Sequence, residues 1–227
     1  AARDACVIAL LPRHVQTCLN ELYLPFWSLT IEFPQFRHVA RLISSIVDAK
    51  SHFTASHSLG VAQLSRHLGE RMGFAPDSLA KMEIAGLMHD IGKLCVPDEI
   101  VEKPARLTVA EFSVMERHSF ETYQILRHVP GLEIVAEWAA FHHEALNGHG
   151  YPFRRSAPTL APEARIVAVA DVFQALAQVR PYRGAQRLDE ISRTLGEFAA
   201  KGILDPDIVA LARDDLDNCF RAATQPV

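Results

Sequence analysis

The chain has 227 residues, enough for one large helical domain or one domain with a short appendage. Hydrophobic residues make up 49% and charged residues 22%, so an ordinary buried core is expected. The formal net charge of −4 gives no footprint for a polymeric nucleic-acid partner, although local basic residues leave room for a small anionic substrate.

Helical spacing dominates from end to end and strand alternation is scarce. Residues 5 to 33 suggest one or two helices punctuated by Pro12, Pro25 and Pro34. From Thr54 to Met72, the residues His57, Val61, Leu64, Leu68 and Met72 fall on one stripe, which points His57 toward the core. Asp77 is expected to cap the next helix, which ends around Ile91-Gly92. Thr108 and Glu111 form a capping-box pattern before a helix that reaches His118. Pro130-Gly131 opens a helix that ends near His142-His143. Asn147-Gly148-His149-Gly150-Tyr151-Pro152 then begins a loop that runs to about Pro162. Further helices are expected over 163–178 and 188–200. A last helix follows a cap at Asp205 with Pro206 in its first turn.

The four cysteines, Cys6, Cys18, Cys95 and Cys219, are scattered and form no C-x-x-C, which suggests free thiols in a reducing cytoplasm. The longest apolar run, Ile166 to Ala177, is too short for a bilayer and carries Asp171 and Gln174, so no membrane contact is expected. Ala1-Ala2-Arg3-Asp4 reads as the start of a piece cut from a longer chain with an upstream sensory region, though removal of an initiator Met would look the same.

The pair His89-Asp90 carries the chemistry. It ends the apolar run Leu87-Met88 and is followed by Ile91-Gly92-Lys93. An imidazole beside a carboxylate there is costly unless both are compensated. A divalent metal compensates both, because His89 offers a neutral nitrogen and Asp90 two oxygens that can bridge two ions. A surface pair at a helix end is the alternative. His57, His118, His142, His143 and Asp171 are further candidates, spread over more than a hundred residues. That spread fits ligands from separate helices meeting in a bundle core rather than a zinc finger. Taken singly, His57 reads as a hydrogen-bonded core histidine. Asp171 lies in Ile166-Val167-Ala168-Val169-Ala170-Asp171-Val172-Phe173, a helix buried on most sides, where a carboxylate needs a partner. Arg165 and Arg180 are possible salt-bridge mates, but neither stands at i±3 or i±4.

In this order the motifs resemble the HD-GYP family, a bacterial branch of the HD phosphohydrolase superfamily. The matching segments are His57-Ser58, His89-Asp90-Ile91-Gly92-Lys93, Val96-Pro97-Asp98, Lys103-Pro104 with Leu107-Thr108, and Met115 with His118. They continue with His142-His143-Glu144, Gly148-His149-Gly150-Tyr151-Pro152, Ala170-Asp171-Val172-Phe173 and Arg180-Pro181-Tyr182-Arg183. They cover residues 50 to 210. The division expected is an N-terminal helical segment over 1–45 and an HD-GYP domain over 46–227.

The resemblance implies an all-α bundle with a metal site in its core. His57, His89, Asp90 and Asp171 would hold one ion. His118, His142 and His143 would hold a second, with Asp90 bridging. Two divalent ions are implied, iron or manganese first, with zinc, nickel or magnesium as other candidates. The implied reaction is hydrolysis of cyclic di-GMP to linear pGpG, and in some members on to GMP, by a hydroxide held between the ions. Some members act on cyclic GMP-AMP. Catalysis would fall to Asp90 and Lys93. Lys93 stands three residues past Asp90 to meet a phosphate oxygen, or is a solvated helix-end lysine. Arg180 and Arg183 would contact phosphate or guanine, or bind backbone carbonyls. Tyr151 would border the substrate cleft by stacking or hydrogen bonding. The Gly-Tyr-Pro loop would otherwise be a docking surface for GGDEF-type partners, or a rigid turn. The oligomeric state stays open, with a dimer one option.

The chain departs from the family pattern at several positions. Phe53 stands where some members place a glutamate ligand, so two ions are expected rather than three. Asn147, Ala145, Gly60 and Gln174 replace residues that are commonly Asp, Arg, Arg and Asp. His149 is an extra histidine, expected to face solvent. Other chemistries fit less well: His143-Glu144-Ala145-Leu146-Asn147 lacks the second histidine of H-E-x-x-H, no G-x-S-x-G is present, and no P-loop precedes Gly92-Lys93. The alternative to an enzyme is a signalling module that binds cyclic dinucleotide or partner proteins without turnover.

Overall fold

The structure is a computed structural model that describes residues 33–50, 56–178 and 184–225. The expected helices within 5–33, Phe53, Cys6, Cys18, Arg180 and Arg183 lie outside the described residues.

Among the described residues ten α-helices follow in order: α1 Phe33–Lys50, α2 His57–Arg71, α3 Pro76–Met88, α4 Asp98–Val101, α5 Val109–Leu126, α6 Glu133–Ala140, α7 Pro162–Ala177, α8 Leu188–Ala200, α9 Pro206–Asp214 and α10 Leu216–Thr224. Short 3-10 turns lie at Ile91–Cys95, Phe141–His143 and Ala157–Thr159. Among the described residues there is no strand, only an isolated bridge between Asn147 and Ser156. No described helix is long and apolar enough to cross a membrane.

Local chemistry explains several boundaries. The Thr108 hydroxyl accepts from the Glu111 amide, and the Glu111 carboxylate accepts from the Thr108 amide, a reciprocal cap that starts α5. Asp205 accepts from the amides of Asp207 and Ile208 and starts α9, with Pro206 behind it. Asp77 does not cap α3. Ala75 holds the cap position and Pro76 the first turn, so the fixed dihedral of proline starts the helix instead. That helix also stops at Met88, earlier than its apolar run suggests, and the chain tightens into the turn at Ile91–Cys95.

Helix α7 lies at the centre and packs against α2, α3, α6, α8 and α10 and the turn at Phe141–His143. Its buried residues include Ile166, Val167, Val169, Ala170, Asp171 and Phe173, which is why its apolar character runs around the whole circumference. From α2, Val61, Leu64 and Leu68 are fully buried, whereas Met72, at the end of the predicted stripe, has left the helix and is exposed. Each such aliphatic side chain contributes about 1.5–3 kcal/mol by leaving water.

Two close approaches set the distances between helices. Gly86 of α3 lies on Ala62 of α2, where a β-carbon would come 2.6 Å from the Ala62 α-carbon. Gly92 lies on the backbone of α5. A β-carbon there would overlap the His118 carbonyl and stand 2.7 Å from the Thr122 amide nitrogen. The Gly92 amide donates to the Thr122 hydroxyl at 3.0 Å, and that hydroxyl donates to the His89 carbonyl at 3.0 Å. The turn after His89-Asp90 is therefore fastened to the helix that bears His118. Gly92→Ala should destabilise the fold by about 1–3 kcal/mol, since backbone cannot move aside as a side-chain tip can. Chemical denaturation of the variant against the parent measures this.

Candidate metal centre

The seven predicted ligands come from five places in the chain. His57 is the first residue of α2. His89 follows α3 directly, with Asp90 next and Lys93 within the turn at Ile91–Cys95. His118 lies in α5, His142 and His143 in the turn at Phe141–His143, and Asp171 in α7. All but His143 are buried, and His143 is half-buried.

Their polar atoms converge in two groups. In the first, His57 Nε2 lies 3.2 Å from His89 Nε2 and 3.3 Å from Asp171 Oδ1. In the second, His118 Nε2 lies 3.4 Å from His142 Nε2, and the His143 ring is 5.2 Å from the His118 ring and 4.0 Å from the His142 ring. Asp90 joins them. Its Oδ2 is 3.3 Å from His89 Nε2, and its Oδ1 is 3.4 Å from His118 Nε2. Within His57, His89 and Asp171, and again within His118, His142 and His143, donor atoms all lie within 4.8 Å of one another.

The far side of each ring is already committed. His57 Nδ1 is 2.5 Å from Gln174 Oε1. His89 Nδ1 donates to the Gly86 carbonyl at 2.8 Å, His118 Nδ1 to the Met115 carbonyl at 2.6 Å, and His142 Nδ1 to the Ala139 carbonyl at 2.7 Å. These bonds turn each ring so that Nε2 faces inward, where it can serve as a ligand atom. Lone pairs that face each other across 3.2 or 3.4 Å repel unless a proton or a cation lies between them. The donor set thus suits cations.

The electrostatics agree. Burial pushes the pKa of His118 and His142 down, and that of His143 down to about 3, so these rings stay neutral and available. Burial also works against charge on His89, but Asp90 and then Asp171 outweigh it and push its pKa up to about 9. Asp90, despite burial, is held well below the usual carboxylate range by His89 and Lys93, and Asp171 likewise by a hydrogen bond from His57 and by the charge of His89. Two ionised carboxylates buried among imidazoles call for positive charge. The Lys93 ammonium, 2.5 Å from Asp90 Oδ2, supplies part of it.

Arg165 is not the mate of Asp171. It pairs with Asp205 at 3.0 Å and donates to the carbonyls of Leu160 and Ala157. Arg180 lies outside the described residues.

Tyr151 stands beside the second group, its ring centroid 4.8 Å from His143 and 6.4 Å from His118. Its loop is tied to the ligands by backbone. The Tyr151 amide donates to the His143 carbonyl at 3.1 Å, and Gly150 packs so tightly on the His143–Ala145 backbone that a β-carbon would collide there. Glu144 accepts from the amides of Phe153 at 2.7 Å and Arg155 at 2.8 Å and closes the loop. His149 is exposed, as expected.

The other departures have structural roles. Gln174 holds His57. Asn147 donates to the Lys201 carbonyl at 2.9 Å and accepts from the His149 amide at 3.0 Å. Gly60 faces the Ala223 backbone of α10, which leaves no room for a larger side chain. Ala145 is buried.

Sequence reasoning missed the supporting shell. Gln174 was readable as an i+3 neighbour of Asp171 on a buried face. Asp48, which accepts from the amide and hydroxyl of Ser58, left no local signal. A third donor group, His67, Asp215 and Cys219, is less suited to a cation. The Arg71 guanidinium lies 3.2 Å from Asp215 Oδ2, and burial and the Asp215 charge push the Cys219 thiol up to about 12. Gln174→Leu, which frees His57 Nδ1, should weaken Mn²⁺ binding about 10–100-fold with helix content unchanged, measured by metal titration and circular dichroism.

The comparisons with known proteins concern the same segment. The family model described as HD domain matches residues 41–208. A Vibrio cholerae protein named 3'3'-cGAMP-specific phosphodiesterase 1 is 40% identical over 184 residues, 81% of this chain and 43% of its own length. A cyclic di-GMP phosphodiesterase from Thermotoga maritima is 34% identical over 173 residues, 75% of this chain and 46% of its own length. A solved HDG"Y"P protein from Bdellovibrio bacteriovorus shares the fold at a TM-score of 0.62 and 18% identity, over 82% of this chain and 65% of that one. The chain spans less than half the length of the two curated relatives. With HD-domain similarity over most of its length, and with His89-Asp90 and Gly150-Tyr151-Pro152 in place, the chain belongs to the HD-domain family in its HD-GYP branch.

Proposed function

We propose that the chain is a metal-dependent phosphodiesterase that opens a cyclic purine dinucleotide, cyclic di-GMP or cyclic GMP-AMP, to its linear form in bacterial second-messenger signalling. The observation that carries this reading is Asp90, whose two oxygens face two separate histidine groups 3.3 and 3.4 Å away. His57, His89 and Asp171 would hold one ion, His118, His142 and His143 the other, and Asp90 would touch both. The donors are nitrogen and oxygen without thiolate, which suits iron or manganese and tolerates zinc or nickel. Two such ions, when bound, supply a nucleophile at neutral pH and polarise the phosphodiester.

The remaining steps belong to the protein. The buried side chains around the ligands would keep water from the back of the centre and hold the ligands in place. Lys93 reaches the centre from the open side and donates to a non-bridging phosphate oxygen, steadying charge as the ribose 3′ oxygen departs. A groove of about 490 Å³ beside Tyr151, lined by Glu116, Arg117, Phe120 and Arg154 among others, offers room for a nucleoside. Arg180 and Arg183 would add phosphate or guanine contacts. The catalytic unit in this reading is residues 46–227, placed in the cytoplasm. The exposed part of the Gly-Tyr-Pro loop remains the surface for a GGDEF-type partner.

The names of the relatives support both substrates: one acts on cyclic GMP-AMP and another on cyclic di-GMP. The test is anaerobic turnover of each dinucleotide with added Mn²⁺ or Fe²⁺, alongside metal analysis. About two ions per chain and hydrolysis to linear product are expected. Metal-loaded protein that binds a dinucleotide without cleaving it would replace the enzyme with a binding module. Asp90→Ala should lose both ions and all turnover while keeping its helix content. Lys93→Ala should keep both ions and lose about 10²-fold in kcat, and equal rates in variant and parent would remove its phosphate role.

A further inference from the structure

Helix α2 starts at a metal-site residue, yet its own cap residue does not close it. Ser56 stands at the cap position and makes no side-chain bond to the first turn. An uncapped first turn leaves amide donors unpaired, and here the helix start is buried, so the omission would be costly. Asp48, near the end of α1, makes up for it. Its Oδ2 accepts from the Ser58 amide at 3.1 Å and its Oδ1 from the Ser58 hydroxyl at 2.8 Å. Asp48 is 4% exposed and Ser58 fully buried, so water does not compete for these bonds. The carboxylate also meets the positive end of the α2 dipole.

The residue between cap and bonded amide is His57. Its ring has one anchor on the far side, Gln174, and its Nε2 points at His89 and Asp171. The Asp48–Ser58 pair sets where the α-carbon of His57 sits, and Gln174 sets how its ring turns. Helix α1 is itself held in place two residues on. Lys50 Nζ donates to the Val96 carbonyl at 2.6 Å and pairs with Asp98 at 3.0 Å, beyond the turn that carries Lys93.

We propose that Asp48 is a positioning residue for the His57 half of the metal centre, acting as a cap supplied from α1 to the helix that starts with His57. This rests on the metal reading given above. Its consequence is that the affinity of one ion depends on a carboxylate of α1, although α1 contributes no ligand.

The test uses Mn²⁺ titration of the full chain under anaerobic conditions, well below the melting transition of each variant. Asp48→Ala should weaken one of two binding steps about tenfold or more and leave the other near the parent value. Asp48→Asn should rescue it to within about threefold of the parent, because the amide can accept from the Ser58 backbone and donate to a reversed hydroxyl. Ser58→Ala, a milder change that keeps the backbone bond, should fall between them and serves if Asp48→Ala does not fold. Lys50→Met removes an anchor of α1 but not the cap, and should bind both ions as the parent does. A parental isotherm for Asp48→Ala, or failure of Asp48→Asn to rescue, would overturn the assignment. An equal loss in Lys50→Met would do so too, since the effect would then come from undocking of α1. If the parent itself binds no divalent ion, the metal reading falls and this role with it.

Discussion

Asp90 is the constraint on which the rest of the structure turns. Its two oxygens lie within 3.3 and 3.4 Å of imidazoles that reach it from different helices, and the residue is buried. A carboxylate in that position is tolerable only if positive charge reaches it from both sides. The fold meets the demand by bringing α2, α3, α5, α7 and the turn at Phe141–His143 to one point. Their apolar faces close the core around it, so packing and chemistry make the same demand on helix placement.

Precision at the centre comes from what stands behind the ligands. Four of the five imidazoles spend Nδ1 on a fixed acceptor, and three of those acceptors are carbonyls three residues earlier in the same helix or turn. For Gly86 and Ala139 this costs little, because a carbonyl in the last turn of a helix is unpaired anyway, whereas the Met115 carbonyl lies in the interior of α5. The arrangement leaves each of these Nε2 atoms aimed inward. Glycine contributes in the opposite sense, by absence. Gly92 lets the Asp90 turn meet α5, and Gly150 lets the Gly-Tyr-Pro loop meet the His143 backbone. The middle residue of that loop, Tyr151, is thereby carried next to the second histidine group.

The site also reaches into α1, which bears no ligand. Asp48 caps the helix that starts with His57, and Lys50 holds the backbone past Lys93. A helix without a ligand thus meets both flanks of the centre, at Ser58 and at Val96. The same logic explains Gly60, where the approach of α10 to α2 takes the space that a long side chain would need.

Much was readable from residues alone. Apolar periodicity marked the helices, the capping pattern Thr108–Glu111 placed the start of α5, and Asp205-Pro206 placed α9, because caps and 3.6-residue spacing are local properties. The ordered histidines and aspartates were legible as candidates because buried charge in an apolar run demands a partner. Other features were decided only by tertiary structure. Which nitrogen of each ring faces inward depends on acceptors such as Gln174 and the Gly86 carbonyl, and nothing local orders them. Asp77 looked like a cap and was displaced by Pro76. Arg165 looked like a mate for Asp171 and went to Asp205, forty residues away. Asp48 gives no signal within its own segment, and its part is set only where α1 lies beside Ser58. Sequence spacing records which face of one element is buried. Which atom waits opposite is decided when two elements meet, because that contact depends on crossing geometry that neither segment encodes by itself.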